Sequence, residues 1–272
     1  MALDKRLFDA AEELYTPGMG TEHVAPMLYS LVRMTRPRRV LEVGLGYTSP
    51  FLAQALHDNL AEIRHDKKIL SGKDENSKRK AVLVPDYYEK DYDPSLIAID
   101  DMSLKGSTAP KVQDILKRLE LDTLVDVHNG DFRGYSDKFE LDQLPLDFVW
   151  FDCGGADEYI QFLEEYWPLI NCEHGILVLH FTYWYADLSE EEGTHEFEHF
   201  LAPIANDIKR QQMAAGHDAE FEVLSLLEPH KSRQGSVTMV RKLNEFSMSR
   251  DEDFQDAMNN LTDWQAPPMP KL

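Results

Sequence analysis

The sequence predicts an α/β protein: a doubly wound sheet of seven strands, mostly parallel, with a C-terminal antiparallel hairpin and a helical cap. Three observations lead there. Five apolar, strand-like runs alternate with segments of helical periodicity. A glycine-rich turn follows the first of those runs. The last two strand-like runs are joined by a polar turn with no helix between them.

The elements follow in chain order. Leu7, Phe8, Ala11 and Leu14 share one face of a helix over 4–14, which Pro17-Gly18-Met19-Gly20 ends. A second helix over about 22–35 starts after Thr21 as a capping residue. Arg38–Val43 is a buried strand, Gly44-Leu45-Gly46 turns the chain, and Pro50–Asn59 returns as a helix. Residues 62–94 are charged, carry Tyr87, Tyr88 and Tyr92, and stand where a short connection of about 2–6 residues normally runs. They are expected to form a helical insertion acting as a lid. Strands follow at 96–100, 124–129, 146–152 and 175–180, with helices at 110–120, 156–168 and 196–213. Phe221–Leu227 and Ser236–Arg241 form the closing hairpin, an antiparallel edge on a parallel sheet.

Composition narrows the function. The 272 residues carry 49 acidic and 28 basic side chains, a net charge of −21, and such a field repels nucleic acid. No apolar run approaches the roughly 18 residues of a membrane span. The N-terminus has no apolar signal region, and Cys153 and Cys172 are too few for a disulfide framework. A cytoplasmic protein with a small-molecule substrate, and neither membrane nor nucleic acid as partner, is expected.

The turn Glu42-Val43-Gly44-Leu45-Gly46-Tyr47-Thr48-Ser49 lies between a strand and a helix, where open α/β sheets bind ligands. Its glycines permit close backbone approach, but Ser49 replaces the third glycine of a dinucleotide fingerprint. Asp100 ends the next strand, where an acid accepts hydrogen bonds from ribose hydroxyls. Glu42 suits a cationic amino-acid group and sits badly beside a pyrophosphate. This combination favours S-adenosylmethionine (SAM) over a dinucleotide.

With these residues in place, the sequence resembles the class I SAM-dependent methyltransferases over about residues 20–243. Val40–Tyr47 looks like their first motif, Asp100 like the ribose-binding acid, and Gly130-Asp131-Phe132 like the adenine-contacting stretch. The resemblance implies a Rossmann-like SAM domain over 37–243 that contains the 62–94 insertion. N-terminal helices at 1–36 lie on the substrate side, and 244–272 form a C-terminal arm. It implies cofactor contacts from Glu42, Gly44, Gly46, Tyr47, Ser49, Asp100, Asp131 and Asp152. Related enzymes are often dimers, so a homodimer is implied as well.

The branch most similar is the small-molecule O-methyltransferases of the catechol and caffeoyl-CoA type. There, an acid after the fourth strand and an Asp-Asn pair after the fifth hold a divalent metal. Asp152 stands at the first position, but His180 and Phe181 stand where the pair should be. Phe cannot ligate and Mg²⁺ prefers oxygen donors, so metal-independent chemistry is expected. Asp152, His180 and Tyr183 are the candidate catalytic residues, with Trp184 and Tyr185 as aromatic neighbours. The leading expectation is methyl transfer to a small metabolite. The alternative is cyclisation of SAM itself to azetidine-2-carboxylate and methylthioadenosine under a closed aromatic cap. SAM binding without catalysis ranks below both. His195-Glu196-Phe197-Glu198-His199 matches the zinc-binding pattern H-E-x-x-H, but no clear third ligand follows, and a solvated acidic helix start is the expectation.

Overall fold

A computed structural model describes residues 5–73, 76–103, 105–183, 201–216, 219–228, 230–231 and 236–243. Five parallel strands, β1 (Arg39–Val43), β2 (Ser95–Asp100), β3 (Val125–Asn129), β4 (Phe148–Phe151) and β5 (Ile176–His180), share a sheet with the hairpin β6 (Phe221–Leu227) and β7 (Ser236–Lys242). The order is β3-β2-β1-β4-β5-β7-β6, and β7 runs antiparallel to β5. The chain builds outward from β1 to β3, then crosses to the other side of β1. That reversal opens a crevice at the carboxyl ends of β1 and β4, where such sheets bind ligands.

Alternation along each strand sorts the side chains into two cores. Val40, Leu96, Ala98, Phe148, Trp150 and Val178 face one helical layer. This layer comprises α1 (Lys5–Ala11), α2 (Val24–Thr35), α3 (Ser49–Leu70) and, after a short α4 (Ser77–Lys80), α5 (Ala109–Arg118). Leu41, Val43, Ile97, Ile99, Val149, Phe151, Leu177 and Leu179 face the other layer, formed by α6 (Ala156–Tyr166) and α7 (Leu201–Ala215). Both sheet faces are covered, which explains why the central strands read as continuous apolar runs. On the α6 side, Phe162 stacks on Phe151 at 4.1 Å and on Tyr166 at 4.5 Å. Phe162→Ala is expected to lower unfolding free energy by about 3–5 kcal/mol, because a rigid aromatic stack cannot collapse into the void. Urea denaturation checks this.

The α/β order matches the sequence reading, and three local expectations are corrected. The third helix does not stop at Asn59: it runs 22 residues to Leu70, because Asn59, Ile63, Asp66 and Ile69 continue the buried stripe. Phe8 is 42% exposed and packs edge-on against Phe51, while Leu7, Ala11 and Leu14 are buried. The cap of α2 is His23, without a side-chain hydrogen bond, and not Thr21.

The largest correction concerns residues 62–94. Their described residues reach the amino ends of the strands, at the opposite end from the crevice. The Tyr92 hydroxyl donates to the Pro37 carbonyl at 2.8 Å, and Arg39 Nη1 donates to the Asp93 carbonyl at 2.5 Å. Arg38 donates to the Asp91 carbonyl. The fully buried Asp66 carboxylate gathers Arg79, Arg36 and the Tyr88 hydroxyl. Burial alone would raise that carboxyl, but hydrogen bonds from Arg79 and Tyr88 and the charges of Arg79 and Arg36 hold it below its ordinary value. The charged insertion expected as a lid therefore contributes to an ion-pair cluster at the bottom of the sheet. The expected C-terminal arm, 244–272, and the H-E-x-x-H segment lie outside the described residues.

Candidate active site

The crevice is built from the ends of β1, β2, β4 and β5. Gly44 takes φ +99°, a backbone state closed to most side chains, and its N–H donates to the Ile99 carbonyl at 2.9 Å. A Cβ there would lie 2.8 Å from the Asp152 carbonyl oxygen. The turn is thus pressed against the β4 end and must be glycine. Gly46 is different: a Cβ would meet nothing within 4 Å. It borders open space, which suits close approach of a ligand. Its N–H donates to the Ser49 hydroxyl at 3.0 Å, so Ser49, fully buried, is engaged in closing the turn.

Asp100 secures the same turn from the β2 side. One oxygen accepts from the Leu45 N–H at 2.9 Å, and the other from the Ser107 hydroxyl at 3.1 Å. A carboxylate offers about four acceptor positions, so capacity for ribose hydroxyls is left. Asp131 receives the backbone N–H of Arg133 at 2.9 Å and the Arg133 side chain. The Arg133 hydrogen bond and charge hold its carboxyl below the ordinary value despite some burial. Phe132, expected beside an adenine, is buried instead against Phe151 and Phe162.

Glu42 is the electrostatic anomaly of the site. It is fully buried on the α3-facing side of β1. Thr48 donates to Oε1 at 2.5 Å, while Oε2 has no hydrogen-bond partner among the described residues. Trp150, the register partner of Glu42 across β1 and β4, likewise has an unpartnered indole N–H among those residues. Burial pushes the Glu42 carboxyl up to about 8, against the Ser49 and Thr48 hydroxyls and with help from the Asp152 and Asp100 charges. A buried carboxyl with one oxygen unpartnered among the described residues fits a site that is completed by a cationic ligand.

Raising an acid's folded pKa above its unfolded value destabilises the fold as pH rises. The unfolded chain releases the proton from its ordinary 4.5, whereas the folded chain keeps it until about 8. The cost is absent below 4.5, grows between 4.5 and 8, and is constant above. Glu42→Gln is expected to remove a fall of a few kcal/mol in ligand-free stability across that window. Denaturation midpoints at a series of pH values check it.

Asp152 and His180, at the carboxyl ends of the adjacent strands β4 and β5, are hydrogen-bonded to each other. His180 Nδ1 lies 2.8 Å from Asp152 Oδ1, so an Nδ1–H donated to the carboxylate selects one tautomer. His180 is buried beside Trp150, with ring centroids 5.4 Å apart, while about a third of the Asp152 side chain is exposed. The buried hydroxyl of Tyr159 donates to the His180 carbonyl at 2.6 Å. Phe181 follows with φ +56°, a strained state for a bulky residue, and its N–H donates to the Ser236 carbonyl. At positions 152, 180 and 181, where the sequence resemblance implies metal ligands, this chain has a carboxylate paired with an imidazole, followed by a phenyl ring. That donor set does not fit an oxygen-seeking Mg²⁺.

Tyr183 is not brought to this pair. Its hydroxyl donates to Asn206 on α7 at 2.7 Å, and Lys209 lies 4.6 Å from its ring centre. Trp184 and Tyr185 lie outside the described residues. Tyr47 packs on Phe51 at 5.3 Å, and burial raises its hydroxyl pKa, with the Glu12, Glu22 and Tyr15 charges adding to the rise. Its side chain packs against the core that holds Leu7, Leu14 and Leu28 of the N-terminal segment. Thr48, Ser107 and Trp150 were missed from sequence. For Thr48 alone was there a signal, a hydroxyl at the start of the helix that follows the acid-bearing strand.

A sequence profile of a methyltransferase domain matches residues 41–180, just over half of the chain. The chain therefore belongs to this methyltransferase family, and with its fold it is a class I SAM-dependent methyltransferase. Solved structures show the same fold at low identity. The O-methyltransferase TomG of Streptomyces achromogenes, involved in tomaymycin synthesis and solved with SAM, is 15% identical with a TM-score of 0.56, covering 89% of this chain and 92% of its own. An O-methyltransferase of Bacillus cereus, solved with SAH, is 15% identical with a TM-score of 0.55, covering 89% and 93%. A Klebsiella pneumoniae protein described as a putative O-methyltransferase is 14% identical with a TM-score of 0.55, covering 90% and 92%. No curated protein sequence matches the chain.

Proposed function

We propose that the chain transfers the methyl group of SAM to a hydroxyl of a small metabolite without a divalent metal. The observation that carries this reading is the Asp152–His180 hydrogen bond of 2.8 Å, at positions where the sequence resemblance implies metal ligands. SAM supplies an electrophilic methyl group on a sulfonium. Glu42, Gly44, Gly46 and Asp100 would hold its amino-acid and ribose parts, and the stretch around Asp131 would border the base. Asp152, partly exposed, would accept the proton of the acceptor hydroxyl. His180 beneath it is a positioning residue: its Nδ1–H holds Oδ1 so that the other carboxylate oxygen faces the acceptor. The N-terminal segment around Tyr47 would close the acceptor side and exclude water.

The cyclisation reading rests on the altered metal positions and the lack of an evident acceptor base, and a closed aromatic cap over the site would suit it. Tyr88 and Tyr92 are bonded at the opposite end of the sheet, and Tyr87 packs on Tyr88 at 5.2 Å. Methyl transfer is therefore preferred. The test is incubation with SAM alone, then with a panel of phenolic and aliphatic hydroxyl acceptors, with and without a chelator, read by mass spectrometry. S-adenosylhomocysteine formed only with an acceptor and insensitive to chelator is the expected result. Methylthioadenosine from SAM alone, or turnover that chelation abolishes and Mg²⁺ restores, would overturn the proposal.

A further inference from the structure

His23, Glu228 and His230 come together at a place the methyl-transfer site does not use. His23 precedes α2, while Glu228 and His230 follow β6 at the end of the hairpin. One ligand atom from each lies within 4.8 Å of the others. Glu228 Oε1 is the common point: His23 Nδ1 bonds to it, and His230 Nε2 lies 3.9 Å away. The two imidazole rings stand edge to face at 5.4 Å. Glu228 Oε2 is held by Lys231 Nζ at 2.8 Å, and Lys231 is offset in turn by Glu22 at 2.9 Å.

We propose that His23, Glu228 and His230 form a site for one Zn²⁺ ion that clasps the β6–β7 hairpin to the start of α2. Two imidazoles and a carboxylate are a zinc donor set, whereas Mg²⁺ and Ca²⁺ need cages of oxygen. Around bonds of about 2.0–2.2 Å, tetrahedral ligand atoms stand roughly 3.4 Å apart. Both histidines are more than half exposed, so ring rotations can open the short His23–Glu228 contact, with loss of its hydrogen bond, and bring His230 closer. Lys231 fixes the carboxylate in the manner of an outer-shell partner, leaving Oε1 to the metal. Three protein ligands leave a fourth position for water.

The clasp would have a structural consequence. Val24, Met27, Leu226 and Val237 line an apolar cavity of about 200 Å³ beside these ligands, between α2 and the hairpin. Ser236, at the start of β7, bonds to the backbone of Phe181 and Tyr183 just beyond His180. Fixing the hairpin end would therefore fix the chain that leaves the active site.

Metal-stripped full chain titrated with ZnCl₂ at neutral pH by calorimetry, with thermal unfolding followed in parallel, tests the site. One Zn²⁺ per chain and a rise in Tm are expected. His23→Ala with His230→Ala should weaken binding at least tenfold and cancel the Tm rise, while His57→Ala, an exposed histidine elsewhere, should change neither. Absence of saturable binding would overturn the proposal, as would binding that survives the double variant. Binding lost instead in His195→Ala with His199→Ala would also overturn it. None of these readouts depends on methyl transfer.

Discussion

Gly44→Ala is expected to abolish SAM binding and to destabilise the fold, whereas Gly46→Ala is expected to impair binding alone. At position 44 the new methyl carbon meets the Asp152 carbonyl at 2.8 Å and the backbone must hold φ +99°. Strain of this kind costs about 1–3 kcal/mol before any clash is counted. Relief requires the β1 turn to move off the end of β4, which displaces the Leu45 N–H from Asp100 and distorts the crevice. SAM affinity should fall by about a hundredfold or more. At position 46 the added carbon enters open space, so unfolding free energy should change by less than about 1 kcal/mol, as for a surface substitution. Only the ligand would feel it. Calorimetric SAM titration and urea denaturation of both variants check this contrast.

The second large effect is expected at Asp152. Asp152→Asn keeps the shape but removes the carboxylate that faces the acceptor. A lost general base lowers kcat by about 10²–10⁴-fold. SAM affinity should change only several-fold, since the backbone contact of Asp152 with the Gly44 turn survives. His180→Gln should give a smaller loss and a displaced pH–rate profile, because a positioning residue acts through the carboxylate it holds. Single-turnover rates with saturating SAM, measured across pH for each variant, separate the two roles. A merely structural histidine would change stability without moving the profile.

The layout of the sheet was legible because its signals are local and mutually consistent. Apolar runs such as Leu96–Ile99 can only be strands buried on both faces, and the two last strands have no crossover helix between them. The cofactor turn was legible for the same reason: Glu42, Gly44 and Gly46 lie within one strand and its following turn, and Asp100 one strand on. What depended on long-range pairing was not legible. Arg36, Arg79 and Tyr88 each lie 13 or more residues from Asp66, and nothing local says that the two guanidinium groups and the tyrosine hydroxyl converge on one buried carboxylate at the bottom of the sheet. A charged, tyrosine-bearing insertion reads the same whether it is a lid or a base. Tyr183 sits three residues beyond His180, yet the chain after the strained Phe181 turns its hydroxyl to α7. The metal question shows the converse. The H-E-x-x-H pattern drew attention to one histidine pair, while the fold assembles another whose members, His23 and His230, lie at opposite ends of the chain.

In the proposed methyl transfer, SAM lies across the carboxyl ends of β1, β2 and β4 with its sulfonium toward Asp152. A crystal structure of the chain with S-adenosylhomocysteine tests it most directly. The expected result places the amino group near Glu42, the ribose on Asp100, and the sulfur facing the Asp152–His180 pair. Density for the ligand at any other face, or in this crevice with its sulfur turned away from Asp152, would contradict the account.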